Sequence, residues 1–368
     1  MKDCIDVLDL STEEIDDLIH TAMDMMDNPD KYADCMKGKT LATLFYEPST
    51  RTRLSFESAM LAMGGSVIGF SGASSSSAAK GESVHDTAIV VAQLADIIAM
   101  RHNMEGAPLV AAKSADIPII NAGDGGHNHP TQTLADLCTI YREKGTFENL
   151  KVGVCGDLRY GRTVHSLLNA LQRYKGLSVV LISPEELRIP KWVKEDVLEK
   201  NNIPYREVTS LEDNVYDLDV LYMTRIQKER FDSQDNYERL KDVYVLDAEK
   251  MAKAKDDCIV LHPLPRVNEI SVDVDKDPRA CYFKQVYNGK YMRMALIRKL
   301  LTQHDVHVTK DEEMIEGLPS ELKDVLHCTN PRCITSCEQE IHHVYRLKDP
   351  HTRTYRCIYC EAEAVYEN

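Results

Sequence analysis

The sequence predicts an α/β protein: two open parallel-sheet α/β domains followed by a small β-rich, zinc-binding C-terminal domain. Three observations predict it. A unit of apolar strand, polar tip and helix recurs through residues 1–285. The tips gather the arginines, histidines and hydroxyls, as the ligand edge of an open α/β sheet does. Five of the eleven cysteines crowd between residues 328 and 360. The first domain is expected over 1–140, completed by a helix at 288–304, and the second over 145–287. A polar linker over 305–320 would lead to a cysteine-rich domain at 321–368.

Each element has its own signal. Ser11-Thr12-Glu13-Glu14 is a capping-box pattern, and Ile15, Leu18, Ile19, Ala22 and Met25 follow at helical spacing. Thr40–Tyr46 is an apolar run that reads as a buried strand, with a second at 66–70. Between them, Pro48, Ser49 and Thr50 suit a helix N-terminus, and Leu54, Phe56, Ala59, Met60 and Met63 give that helix its apolar positions. A helix start offers unpaired N–H groups and a positive dipole end; with Arg51 it makes a site for a dianion, most simply a phosphate. From these residues alone, an ordinary capped helix with surface arginines is an equal alternative. The serine-rich run 71–81 reads either as a linker or as a loop carrying Lys80 into a neighbouring anion site.

Further along, 83–95 reads as a helix, and Ile97–Met100 as a strand with Arg101-His102 just past its end. Ile117–Asn121 is a strand followed by a glycine-rich turn with His127, His129 and Gln132, then a helix over Leu134–Tyr141. A second series begins with the strand Val152–Cys155 and the turn Gly156-Asp157 into a helix near Arg162 and Thr163. Strands are expected at 179–182, 220–223, 244–246 and 259–261, with Arg225 and His262-Pro263-Leu264 beyond two of them. An amphipathic helix over 291–303 closes the unit. The glycines 153, 156 and 161 do not make a dinucleotide fingerprint, no acidic residue ends the next strand, and there is no Walker A run.

Composition narrows the function classes. The apolar and charged fractions, 43% and 28%, are those of an ordinary soluble globular protein. A net charge of −15 argues against general affinity for nucleic acid or anionic membrane. The N-terminus lacks an apolar signal core, and no 18-residue apolar window exists. Cysteines without a secretion signal imply a reducing cytoplasm. In the tail, Cys328 and Cys333 (C-x4-C) and Cys357 and Cys360 (C-x2-C) are separated by 23 residues. Two such knuckles predict a structural zinc site, and four thiolates leave no open position for catalysis. Cys337 is left out. Strands near 343–347 and 354–356 predict a small β domain that needs its metal to fold.

Taken together, the strand tips resemble the catalytic chain of the aspartate carbamoyltransferase family over residues 1–305. The pieces are Glu47-Pro48-Ser49-Thr50-Arg51-Thr52-Arg53, Lys80-Gly81-Glu82, Met100-Arg101-His102, His129 to Asp136, Gly156-Asp157 with Gly161 to Ser166, Met223 to Arg230, and His262 to Arg266. The resemblance implies transfer of a carbamoyl group from carbamoyl phosphate to L-aspartate, in pyrimidine biosynthesis, without an organic cofactor. It implies that Ser49, Thr50, Arg51 and Thr52 hold the phosphate. Arg101, His129 and Thr52 would bind the carbamoyl oxygen, and Gln132 the carbamoyl amine. Ser76 and Lys80 would enter from an adjacent subunit of a trimer or a multiple of trimers. Arg162, with Thr163 beside it, and Arg225 would pair with the two aspartate carboxylates, supported by Gln227. The backbone carbonyls of Pro263 and Leu264 would meet the amino groups. Arg53 and Arg266 are expected as ion-pair partners, and His127 and His165 as packing or hydrogen-bonding residues.

Ornithine carbamoyltransferase shares the phosphate motif and is the close competitor. A second cationic fork at Arg225 implies a second carboxylate on the acceptor, which favours aspartate. A silent scaffold would have lost site residues, and every expected charged group is present. The tail resembles the zinc domain of the aspartate carbamoyltransferase regulatory chain, without the nucleotide-binding domain that normally precedes it. That implies a catalytic–regulatory fusion lacking the usual ATP/CTP site, with the tail bracing or joining trimers.

Overall fold

The computed structural model describes residues 2–75, 77–226, 244–302, 314–315, 317–338 and 341–367. The chain divides into two compact units. The first comprises residues 1–10, 24–130 and 293–368; the second comprises 11–23 and 131–292.

The first unit holds the strands β1 (Thr40–Phe45), β2 (Ser66–Ser71), β3 (Ile97–His102) and β4 (Ile119–Asp124) in the order β2-β1-β3-β4, all parallel. The strands β1, β3 and β4 are buried along nearly their whole length, which explains the apolar runs of the central pair β1 and β3. Helices α2 (Thr50–Ala62), α3 (Val84–Ala92) and α4 (Ala107–Ser114) make the crossovers. The chain moves from β1 to one neighbour and then back past it to the other, so the switch point lies between β1 and β3.

The second unit repeats the device with β5 (Lys151–Cys155), β6 (Ser178–Ile182), β7 (Tyr205–Val208), β8 (Val220–Met223) and β9 (Ile259–Leu261). Their order is β7-β6-β5-β8-β9, again parallel, with the switch point between β5 and β8. Helices α5 (Pro130–Lys144) and α6 (Arg162–Leu171) belong here, as does most of the long helix Tyr282–Thr302. The helix α1 (Thr12–Asp27) starts with the expected capping box: the Glu14 amide donates to Ser11 Oγ (3.2 Å), and the Ser11 amide to Glu14 Oε2 (2.9 Å).

The tail belongs to the first unit. A short pair, β10 (Met314–Ile315) and β11 (Leu318–Pro319), precedes an antiparallel sheet of β12 (Glu321–Lys323), β13 (Val344–Asp349), β14 (Thr354–Cys357) and β15 (Glu363–Val365). Its Ile334, Tyr355 and Tyr359 share one buried core with Ala107, Val110 and Ala111 of α4. Among the described residues, no helix is long and apolar enough to cross a membrane.

Several expectations shift. Residues 244–246 form no strand; Leu246 makes only an isolated bridge to Ile270. The closing helix begins at Tyr282 rather than 291, and α5 begins at Pro130 rather than Leu134; Pro130-Thr131-Gln132-Thr133 offers no apolar period, and Asn288-Gly289-Lys290 interrupts the period between Tyr282 and the later apolar positions. Arg101 and His102 end β3 rather than follow it. Leu54 is exposed, as is Leu61 seven residues later on the same face of α2. The edge strand β7, Tyr205-Arg206-Glu207-Val208, is half polar and carries no period-2 apolar signal.

Candidate active site and metal centre

In the first unit, β1 delivers the chain to the switch point. The Tyr46 amide donates to the Arg101 carbonyl at 2.8 Å, so the β1 tip and the β3 tip stay in register. Pro48 then turns the chain, and Ser49 takes the N-cap of α2 with extended backbone but no side-chain capping bond. The first-turn N–H groups are thus left without the cap that a serine usually supplies. Thr52 is buried just inside the helix, whereas Thr50 and Arg51 are more open. Burial, and then the nearby Arg101, push the Arg51 guanidinium down from its ordinary value. Two cations held together in this way suit an anion between them. Arg101 is anchored by Glu47 at 2.6 Å and by the Ala122 carbonyl at 3.3 Å. Among the described residues its buried Nε donates to nothing.

His129, buried, sits immediately ahead of α5. The loop before it is pinned by Asp124, whose carboxylate accepts from the amides of Gly106 (2.8 Å) and Asn128 (3.0 Å), from Asn121 Nδ2 (3.0 Å) and from His127 Nδ1 (3.0 Å). Burial opposes a charge on His127, but Asp124 outweighs it and holds the imidazole up at about 10. His127 is therefore a structural cation. Lys80 ends a short 3-10 turn after β2 and is exposed. Ser76 lies outside the described residues.

In the second unit, β5 and β8 part at Gly156 and Thr224. The Thr224 amide donates to the Cys155 carbonyl (2.8 Å), and the Gly156 amide to that of Ile182 (3.0 Å). Arg162 opens α6 behind Gly161, and Arg225 follows Thr224 at the adjacent tip; both are half-buried. Thr163 lies within hydrogen-bond reach of the Tyr222 hydroxyl. Gln132, in the first turn of α5, donates Nε2 to Asp136 Oδ1 at 2.7 Å. At the β9 tip, Leu264 has a left-handed φ of +52°. Its amide donates to His262 Nδ1 (2.8 Å), and His262 Nε2 pairs with Glu269 (2.7 Å). This fixes the Pro263–Leu264 backbone. Gln227 lies outside the described residues.

Other side chains keep structural partners. Arg53 pairs with Glu57 (2.6 Å) and Arg266 with Asp275 Oδ2 (2.6 Å). His165 donates to the Leu158 carbonyl at 2.8 Å, and burial pushes its pKa down to about 4. Asp124, Asp136, Tyr222, Glu269 and Gln285 support the site side chains without being among the sequence-predicted site residues. Only Asp136 carried a legible signal, four residues beyond Gln132 on one helix face.

The four cysteines Cys328, Cys333, Cys357 and Cys360 converge, with every Sγ within 4.8 Å of the others. Cys328 and Cys360 are 3.5 Å apart, Cys333 and Cys357 3.9 Å. Tetrahedral zinc with Zn–S of about 2.3 Å requires sulfurs about 3.8 Å apart, so the cluster fits that ion. Thr335 Oγ1 donates to Cys333 Sγ at 3.1 Å, a bond that steadies a thiolate. Cys337 is exposed and outside the cluster. The knuckle docks on its own chain. The Glu105 amide donates to the Arg332 carbonyl (2.8 Å), and the Ile334 amide to the Glu105 carbonyl (2.9 Å). Asn330 Nδ2 donates to the Glu105 carboxylate at 2.7 Å. Gly106, at φ +86°, lies so close to Tyr359 that a Cβ would meet it at 2.5 Å.

Two doubly wound sheets with arginines at both switch points define a class, and the chain belongs to the aspartate/ornithine carbamoyltransferase family. Residues 2–142 match the carbamoyl-P binding domain of that family and 148–300 its Asp/Orn binding domain. Residues 320–368 match the metal binding domain of the aspartate carbamoyltransferase regulatory chain. The aspartate carbamoyltransferase catalytic subunit of Lachnoclostridium phytofermentans is 62% identical over 301 residues, covering 82% of this chain and 98% of that protein. That of Clostridium perfringens is 61% identical over 300 residues, with the same coverage. Among solved structures, the catalytic subunit of M. jannaschii aspartate transcarbamoylase is 48% identical with a TM-score of 0.77, covering 82% of this chain and 98% of that one. Aspartate transcarbamoylase from Trypanosoma cruzi in complex with N-(phosphonacetyl)-L-aspartic acid is 38% identical, also at 0.77, covering 82% and 96%.

Gly156→Ala tests the second switch point. At φ +118° the added Cβ would lie 2.4 Å from the Thr224 carbonyl oxygen. Chemical unfolding is expected to show a loss of roughly 1–3 kcal/mol; wild-type stability would mean that these tips are not tightly joined.

Proposed function

We propose that the protein transfers the carbamoyl group of carbamoyl phosphate to L-aspartate, giving N-carbamoyl-L-aspartate and phosphate. The observation that carries this is the 62% identity over 301 residues to an aspartate carbamoyltransferase catalytic subunit. Residues Ser49, Thr50, Arg51 and Thr52, with the uncapped first turn of α2, hold the phosphate. Arg101, His129 and Thr52 face the carbamoyl oxygen, where negative charge grows as the carbon becomes tetrahedral. Gln132 accepts from the carbamoyl amine. Arg162 and Arg225, with Thr163 and Gln227 in support, pair with the two carboxylates of aspartate. The carbonyls of Pro263 and Leu264 accept from the amino groups.

The aspartate nitrogen attacks the carbamoyl carbon directly. The carbon–oxygen bond to phosphate breaks, phosphate departs with the electron pair, and it can take the proton released by the amine. No side chain becomes covalently attached; positioning and fixed charge supply the rate. The acceptor is aspartate rather than ornithine, because two guanidinium forks suit two carboxylates.

The active assembly is a trimer or a multiple of trimers, in which Ser76 and Lys80 reach a neighbouring subunit's site. The exposed Leu54 and Leu61 on one face of α2 support an interface there. The four-cysteine cluster holds one structural zinc per chain and takes no part in the chemistry. Zinc holds the tail's fold, and the tail braces the oligomer rather than sensing ATP or CTP. The reaction belongs to cytoplasmic pyrimidine synthesis.

Turnover assays should give carbamoylaspartate from aspartate and no product from ornithine; activity with ornithine alone would overturn the assignment. Arg225→Ala should lower kcat/KM for aspartate about 10- to 100-fold, the worth of one charge-assisted pair at roughly 1.5–3 kcal/mol. Metal analysis should find one zinc per chain. Chelation should raise amide hydrogen exchange across 321–365 while β1 and β3 keep their protection; unchanged exchange would make the cysteine cluster dispensable to the tail.

A further inference from the structure

Asp136 is fully buried on α5 and has no part in the chemistry described so far. Three donors converge on it. Gln132 Nε2 and Gln285 Nε2 both reach Oδ1 at 2.7 Å, and the Tyr222 hydroxyl reaches Oδ2 at 2.9 Å. Gln285 passes the constraint on, because its Oε1 accepts the His262 amide at 2.8 Å. Tyr222 does the same towards Thr163. One carboxylate therefore ties the Gln132 side chain, the His262–Leu264 turn and the start of α6 into a single network.

The direction of the bonds matters more than their number. An ionised carboxylate only accepts. The end of the Gln132 amide that faces Asp136 must therefore be its NH2, and the end turned away must be its oxygen. A glutamine without this partner could present either end.

We propose that Asp136 is a positioning residue that sets the polarity of the acyl-group site. By holding Gln132 Nε2, it presents Oε1 to the amino group of the incoming carbamoyl phosphate. The site then selects NH2 over a methyl group of similar size on the reacting carbon. Through Gln285, the same carboxylate holds the turn bearing the Pro263 and Leu264 carbonyls. This rests on the carbamoyl-transfer reading above.

Acetyl phosphate, which carries methyl where carbamoyl phosphate carries NH2, is the probe. The measured quantity is the ratio of its inhibition constant to the KM for carbamoyl phosphate, in the full chain. Asp136→Ala should narrow that ratio tenfold or more, chiefly through carbamoyl phosphate, with the acetyl phosphate constant within about twofold of wild type. Asp136→Asn should restore most of the ratio. Its carbonyl oxygen can still accept both amides while its NH2 donates to Tyr222, whose hydroxyl turns towards Thr163. On a Gln132→Met background, Asp136→Ala should not narrow the ratio further. If Asp136→Ala does not fold, Asp136→Ser, too short to reach both amides, carries the same comparison. An unchanged ratio in the Ala or Ser variant, or equal loss in Asn and Ala, would overturn the proposal. A wild-type chain that makes no carbamoylaspartate would instead remove the reading on which it rests.

Discussion

The arrangement of charge follows from one geometric constraint. At the switch point of a doubly wound parallel sheet, crossover helices leave neighbouring strands towards opposite faces, so the strand ends between them are left uncovered. The first unit opens this gap between β1 and β3, the second between β5 and β8. Each gap has a helix N-terminus beside it: Ser49–Thr50 of α2 in one, Gly161–Arg162 of α6 in the other. Partial positive charge is thus built into both edges before any side chain is considered. Arg51 and Arg101 add to the first, Arg162 and Arg225 to the second.

Such edges work against stability. The Arg51 guanidinium stands near the like-charged Arg101, and the first turn of α2 forgoes its side-chain cap. The surroundings compensate with rigid, fully bonded supports. Asp124 accepts four donors under the His129 loop, and Asp136 accepts three beneath Gln132. Buried carboxylates are tolerable only when so satisfied. The cysteine-rich tail extends the same logic. Glu105, buried beside the Asp124 loop, is held by backbone and side-chain bonds to Arg332, Ile334 and Asn330, so the cysteine knuckle completes the packing of its own first unit.

The architecture was legible because parallel strands buried on both faces leave continuous apolar runs, and charge at their ends interrupts those runs abruptly. Arg101 after Ile97–Met100 and Arg225 after Val220–Met223 both show it. The knuckles were legible because metal geometry dictates cysteine spacing. The supporting shell was not. Glu105 contacts residues more than 220 positions away, and nothing local announces that. Of that shell only Asp136 shows locally, four residues beyond Gln132 on one helix face, although a mid-helix aspartate usually faces water. Residues 244–246 have strand composition, but without a sheet neighbour they form a single bridge. The helix starts at Pro130 and Tyr282 are hidden because Pro130-Thr131-Gln132-Thr133 is polar and Asn288-Gly289-Lys290 interrupts the apolar period that follows Tyr282.

A preformed dianion site at the β1–β3 edge should bind phosphate without any second substrate. Calorimetric titration of inorganic phosphate into the full chain and into Arg51→Ala tests it most directly. Saturable binding that weakens at least tenfold in the variant, with unchanged thermal unfolding, is the predicted result. Identical isotherms for the two proteins would contradict it.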